Sequence, residues 1–231
     1  EFKAQIDALV AEGMEQEEAL YKVLKETIIA SKNIRFEGDG YSEEWKEEAA
    51  RRGLTNICHV PEAIMRFNDP QSRAVLIGEN VFNENELMCR IEVELEKFTK
   101  KVQIESRILG DLAINHIIPT AVTYQNRLLE NLRGLRETFS PEEYEILGAE
   151  RKELIKEIQY HILDIKRMVR EMIEARHIAN RKPSQEEKAY SYEECVRPYM
   201  EKIREHIDDL ELEIDDEIWP LPKYRELLFN K

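Results

Sequence analysis

Between Asn83 and Phe139 apolar residues recur at three- and four-residue steps: Leu87, Ile91, Leu95, Phe98, Val102, Leu109, Leu112, Val122, Leu129, Leu132 and Leu135. That spacing draws a stripe down one face of a helix. Asn83-Glu-Asn-Glu86 opens it with a polar cap and a Glu three residues later. A continuous helix would have about 55 residues and span roughly 80 Å. Pro119 removes one amide donor and predicts a bend, not a break, because the stripe resumes beyond it. Residues 115–118 are biased away from ideal helix for the same reason. Ser140-Pro-Glu-Glu143 starts a second helix, reaching about Asn180, with a seam of Leu154, Ile158, His161, Ile165, Met168, Met172 and Ala175. Pro183-Ser184 to Glu187 repeats the capping box and starts a third. Its seam is Ala189, Tyr192, Val196, Tyr199, Ile203, His206 or Ile207, Leu210 and Ile214, with Pro198 as a second candidate bend. Connections of a few residues force antiparallel neighbours. The fold predicted is all-α, a long antiparallel up-down-up helical bundle with coiled-coil-like packing.

Shorter helices precede it. Phe2, Ile6, Leu9 and Val10 make one stripe, which Gly13 interrupts. Ala19, Leu20, Val23, Leu24 and Ile28 make the next. Gly38-Asp-Gly40 must turn. Ser42 caps a helix that holds Trp45 and stops near Gly53, and the turn is expected to seat Tyr41 and Trp45 against a neighbour. Val60-Pro61 and Asp69-Pro70 open two short helices. Trp219-Pro-Leu-Pro222 leads to a last one, Lys223 to Phe229.

The 34 basic and 48 acidic residues give a net charge of −14, which argues against nucleic acid and anionic membranes as partners. Cys58, Cys89 and Cys195 are scattered, so neither a disulfide framework nor a zinc site is indicated, and a cytoplasmic location is the simplest. No apolar run has the length of a membrane span. The chain opens on Glu-Phe-Lys within a helical pattern, which points to an excised or N-terminally trimmed piece.

Five histidines raise metal chemistry. Glu174-Ala-Arg-His177 has the spacing that puts both side chains on one helix face in di-iron bundles, but such sites need a second pair and two more glutamates. His177 is therefore read as a surface residue. His161 and His206 lie on apolar seams and are read as hydrogen-bonded core histidines, with Tyr192 or Tyr199 as partners. His116 could satisfy a carbonyl freed near Pro119. Cys58-His59 are adjacent, but adjacency does not make a nucleophile and base face each other. Acidic runs such as Asp208-Asp209 and Asp215-Asp216-Glu217 read as solvated faces.

Four motifs in order carry a resemblance: Ile34 to Trp45 with Arg51-Arg-Gly-Leu54; Gln103-Ile-Glu-Ser-Arg107; Gly110 to Pro119; and Asp215 to Phe229. Together they resemble the C-terminal portion of type III glutamine synthetase. Asn80-Val-Phe-Asn83 stands where shorter glutamine synthetases have a Gly-Val-Phe-Thr-type helix start, with Asn replacing Thr as cap. The resemblance implies a parent enzyme that joins ammonium to glutamate with ATP and Mg or Mn. The family's metal, nucleotide and phosphate contacts would lie upstream, so no catalytic, cofactor-binding or metal residue is assigned in this chain. Residues 1–98 would be the tail of the catalytic domain and 99–231 a helical-bundle extension. The implied partners are the chain's own catalytic domain and neighbouring subunits of a homo-oligomer. Away from them, Ile28, Phe36 and Trp45 should be exposed. The competing reading is a free-standing helical protein-interaction module.

Overall fold

A computed structural model describes residues 1–228. The chain forms two compact units, Glu1–Cys58 and His59–Lys231, and no strand occurs among the described residues.

The first unit holds α1 (Phe2–Ala11), α2 (Gln16–Ala30) and α3 (Glu43–Arg51), with a 3-10 turn at Ser31–Ile34. Gly13, at φ 99°, makes the reversal between α1 and α2, a backbone angle that a Cβ would strain. In the Gly38–Gly40 turn, Asp39 Oδ1 accepts from the Tyr41 N–H at 2.9 Å. Ser42 Oγ caps α3 by accepting from the Trp45 N–H at 3.2 Å. Trp45 stacks on Phe36 with ring centroids 4.4 Å apart and lies under the Arg52 guanidinium. Arg52 also donates to Glu48 and to the backbone carbonyls of Asn33 and Arg35. Hydrogen bonds from Arg51 and Arg52 hold the Glu48 carboxyl down at about 2. Tyr41, by contrast, is 96% exposed, so the turn seats the tryptophan and not the tyrosine. Only Ala19, Val23 and Ala49 are buried apolar residues of this unit. Ile28 is exposed as expected; Phe36 and Trp45 are half-buried, on each other.

In the second unit, α4 (Val60–Met65) and α5 (Pro70–Gly78) each begin with a proline in the first turn, where its missing N–H costs nothing. Next comes α6 (Glu84–Leu112). Its capping box is complete: Asn83 Oδ1 accepts from the Glu86 N–H, and Glu86 accepts from the Asn83 N–H. The helical backbone continues through a π-turn (Ala113–Ile117) into α7 (Ile118–Thr138). Ser140 and Glu143 form a second complete box at α8 (Pro141–Leu147). The expected single helix to Asn180 is interrupted at Gly148, and α9 (Ala149–Asn180) starts there. A Cβ on Gly148 would meet the Tyr144 carbonyl at 2.9 Å and Leu132 at 3.0 Å, so the interruption needs glycine for space. Ser184 caps α10 (Gln185–Ser191), but the reciprocal bond of a full box is replaced by a Ser184 hydroxyl donation to Glu187. A second π-turn (Tyr192–Val196) leads into α11 (Arg197–Glu213). The last helix, α12 (Tyr224–Leu228), matches the expected closing helix up to Leu228; Phe229 lies outside the described residues.

The two π-turns stand in the same relation to a proline. Ile118 donates to the Ala113 carbonyl and Arg197 to the Tyr192 carbonyl, each across five residues. Each donor immediately precedes a proline, Pro119 or Pro198. Proline has no N–H and its ring crowds the carbonyl four residues earlier, so a wider turn before it relieves the clash. Ile118 itself keeps helical angles, φ −61° and ψ −45°, against the bias expected before proline.

Contacts between α6–α7 and α9 run in opposite chain directions. Gln103 meets Asn180, Gly110 faces Val169 and Met172, Gln125 donates to the Ile155 carbonyl, and Leu132 approaches Gly148. The main core lies between these helices and α11, built from residues such as Ile117, Ile158, Ile165, Met172, Val196 and Ile203. A smaller core of Leu87, Ile91, Leu95 and Ala189 joins the start of α6 to α10, with Ile64 and Phe82 packed against it.

Candidate functional site

The second π-turn carries the most concentrated buried polar chemistry. The surplus residue of the turn brings both Tyr192 and Glu193 inward, and both are buried. The Tyr192 hydroxyl donates to Asn180 Oδ1 at 2.9 Å, and Gln103 Nε2 donates to both of these oxygens at 3.1 Å. Three segments are thereby joined by one closed network, in which the buried Tyr192 hydroxyl would be costly to leave unpaired. The Glu193 side chain, 4% exposed, is paired twice: His59 Nδ1 lies 2.9 Å away, and Arg197 donates to both carboxylate oxygens at 2.9 and 3.2 Å. A buried carboxylate so engaged is an acceptor that ties the start of α4 to α11, and removing a partner would strand its charge.

His161 and His206 are hydrogen-bonded, as their place on the seams suggests, but to each other and not to tyrosines. Their Nδ1 atoms are 2.9 Å apart and the rings meet edge to face. One Nδ1 must therefore carry the proton and the other must not. His116 is exposed; its own carbonyl accepts from the Thr120 hydroxyl at 2.9 Å. Glu174 and His177 are both exposed. Among the described residues no three His, Cys, Asp or Glu side chains are grouped so that they could hold a metal. Cys58 is exposed, with Sγ 3.9 Å from the Asn56 carbonyl, while His59 is committed to Glu193.

A groove of about 910 Å³ runs between α4, α6 and α11. Ile64, Phe98, Val102 and Met200 line its floor, and charges of both signs, such as Lys101 and Glu201, line its rim. Its chemistry suits apolar side chains.

Glu193 and Gln103 did not stand out in sequence as structural polar residues. Gln103 lies in a motif quoted above, but its partners come from two other helices. Glu193 follows the seam residue Tyr192, and regular α-helical spacing would turn it away from the core. The signal that could have found it is Pro198, which predicts irregular geometry just upstream.

Residues 19–136 match the model of the glutamine synthetase C-terminal domain. The whole chain is 70% identical to a glutamine synthetase of Bacteroides fragilis (strain YCH46), of which it covers 32%. Over 91% of its length it is 28% identical to a type-3 glutamine synthetase of Dictyostelium discoideum, covering 29% of that protein. Over 52% of its length it is 32% identical to a glutamine synthetase of Butyrivibrio fibrisolvens, covering 17%. The chain thus spans a third or less of the curated relatives it matches. This helical chain belongs to the glutamine synthetase C-terminal domain family.

Proposed function

We propose that the chain is the C-terminal structural part of a type III glutamine synthetase, whose parent ligates ammonium to glutamate with ATP, and that it is inactive by itself. The observation that carries this reading is the surface of α2. Leu20, Leu24, Ile28 and Ile29 are all exposed there, Ile29 at 62%, and the unit containing them buries little of its own. Apolar surface of that kind asks for a cover, and the relatives have two-thirds more of their length to supply it. In this reading residues 1–98 are the tail of the catalytic domain and 99–231 an extension that supports packing between subunits of a cytoplasmic homo-oligomer. ATP and Mg or Mn are held by the rest of the parent, and no residue of this chain is assigned to catalysis.

Two measurements test it. The chain supplied with glutamate, ammonium, ATP and Mg should form no glutamine; turnover would overturn the inactivity. The parent lacking residues 99–231 should lose its assembled mass in light scattering; an unchanged oligomer would overturn the packing role. The groove between α4, α6 and α11 favours a second reading, a free-standing module that binds a partner protein. It would gain from a defined partner whose binding to the chain is lost on Met200→Glu.

A further inference from the structure

His161 on α9 and His206 on α11 meet through like atoms, their Nδ1 nitrogens 2.9 Å apart. The ring centroids are 5.1 Å apart and the planes cross at 68°, so the two nitrogens lie between the rings and point at one another. Both side chains are half-buried on the seam where α9 packs on α11. The ionisable residues one turn away on the same faces are Glu157 and Asp164 on α9, and Lys202 and Asp209 on α11. Arg167 is held by Asp164 and Glu171, and Arg204 by Asp208. Across α9, the layer between the Gly110–Met172 and Gln125–Ile155 contacts presents Ile117, Ile118 and Ala121, which are buried and apolar. α6 meets α11 along the groove, where its charges are Glu94, Lys97, Lys101 and Glu105. Among the described residues none of these groups hydrogen-bonds to either ring, so each histidine has only the other.

We infer that this pair is a proton-operated latch between α9 and α11, closed at neutral pH and opened by acid. Two neutral imidazoles carry two protons on four nitrogens. The contact needs one of those protons on one Nδ1 while the facing Nδ1 stays bare. A third proton enters at the Nε2 of the donor ring, away from the contact, which survives as a charge-assisted bond. A fourth has only the bare Nδ1 to enter, and two cationic N–H groups would then meet head-on. The closed latch therefore holds at most three protons, and the open pair holds four. The unfolded chain takes up all four as pH falls below the ordinary histidine range, near about pH 6.5. Stability rises with pH wherever the unfolded state holds more protons, so the stabilisation from the closed latch is present above about pH 6.5 and lost below it. The surrounding charge, three carboxylates against Lys202, does not oppose the added protons; the geometry of the contact does. Opening frees the C-terminal half of α11 from α9. The inference stands apart from the role proposed for the chain in a larger enzyme.

The unaltered chain, isotope-labelled at its histidine ring nitrogens, gives the first readout. A scalar coupling through the hydrogen bond should connect the two Nδ1 atoms at about pH 7.5 and vanish by about pH 5. The second is a double-mutant cycle of His161→Ala and His206→Ala, followed by thermal unfolding at the same two pH values. Glu213, two turns beyond His206, titrates in all four proteins of the cycle, as do the other carboxylates, so their effects cancel. The interaction between the two sites should be worth roughly 2–4 °C at the higher pH, as for one hydrogen bond in a chain of this size. It should be absent or reversed in sign at the lower pH. No coupling between the nitrogens at the higher pH, a coupling that persists unchanged at the lower, or a cycle that gives the same interaction at both would each overturn the latch.

Discussion

Glu213 closes α11 with one carboxylate oxygen buried and without a hydrogen-bond partner among the described residues. Burial, reinforced by the nearby charges of Glu157 and Asp209, raises its carboxyl above the usual range. A raised carboxyl costs stability wherever it is ionised in the folded chain. The cost disappears as pH falls through the raised value towards that of the unfolded chain. Glu213→Gln should therefore raise the unfolding temperature at pH 7, by on the order of 1 °C, and the gap should close near about pH 4. Scans of both proteins at the two pH values check this; a gap that persists in acid would mean that the charge is not the cause. Glu193 is the counter-case. It is more deeply buried, yet His59 and Arg197 meet both of its oxygens. The two carboxylates differ in partners: Glu213 keeps an orphaned oxygen, whereas both oxygens of Glu193 are paired.

At the scale of the element, the starts of helices were legible and their interruptions were not. Asn83 with Glu86 and Ser140 with Glu143 are local signals, satisfied by bonds within four residues. Gly148 hid inside an apolar pattern that continues on both sides of it, and it is required by the Tyr144 carbonyl four residues back together with Leu132, sixteen residues away. The prolines marked an irregularity, but a π-turn is one surplus residue, visible only against the register of a partner helix. This gives a test. Deleting exposed His116 while replacing Pro119 with Ala should yield an uninterrupted α-helix. The Gly110–Met172 and Gln125–Ile155 contacts should survive, and the unfolding temperature should lie within about 5 °C of the parent, since no buried group is lost. Deleting exposed Glu105 instead should rotate everything after it by about 100° and abolish the fold. A crystal structure of the first variant that still shows a π-turn would refute the account. The half-buried histidine pair was legible as polar residues on the seams; its partnering was not, because two helices had to be placed before their registers could meet.

For the whole molecule, the division of the core matters more than the count of helices. Both cores lie within residues 59–231, while the first unit buries only small apolar side chains, Ala19, Val23 and Ala49. A fragment of residues 59–231 should therefore unfold in one cooperative transition, within about 5 °C of the intact chain. Residues 1–58 alone should lose most of their helix signal, because short helices without a packed face are marginal in water. Circular dichroism of the two fragments decides the matter; a stable 1–58 or a molten 59–231 would contradict the division. None of this could be read from the apolar stripes, which look alike in α2 and α6. The difference is that α6 packs on the long helices α9 and α11 and on the shorter α4 and α10, whereas α2 has little to pack on within its own unit.

The surplus residue in each π-turn behaves like a dislocation in a one-dimensional lattice. By exchanging one hydrogen bond at a time it can glide along a helix without unfolding it, turning successive side chains inward as it passes. Pro119 and Pro198 act as pins, since the defect relieves a clash only at one place. Without the second pin, the inward pairing of Tyr192 and Glu193 would become one position of the defect among several, and the order of the polar network would hang on a residue that takes no part in it.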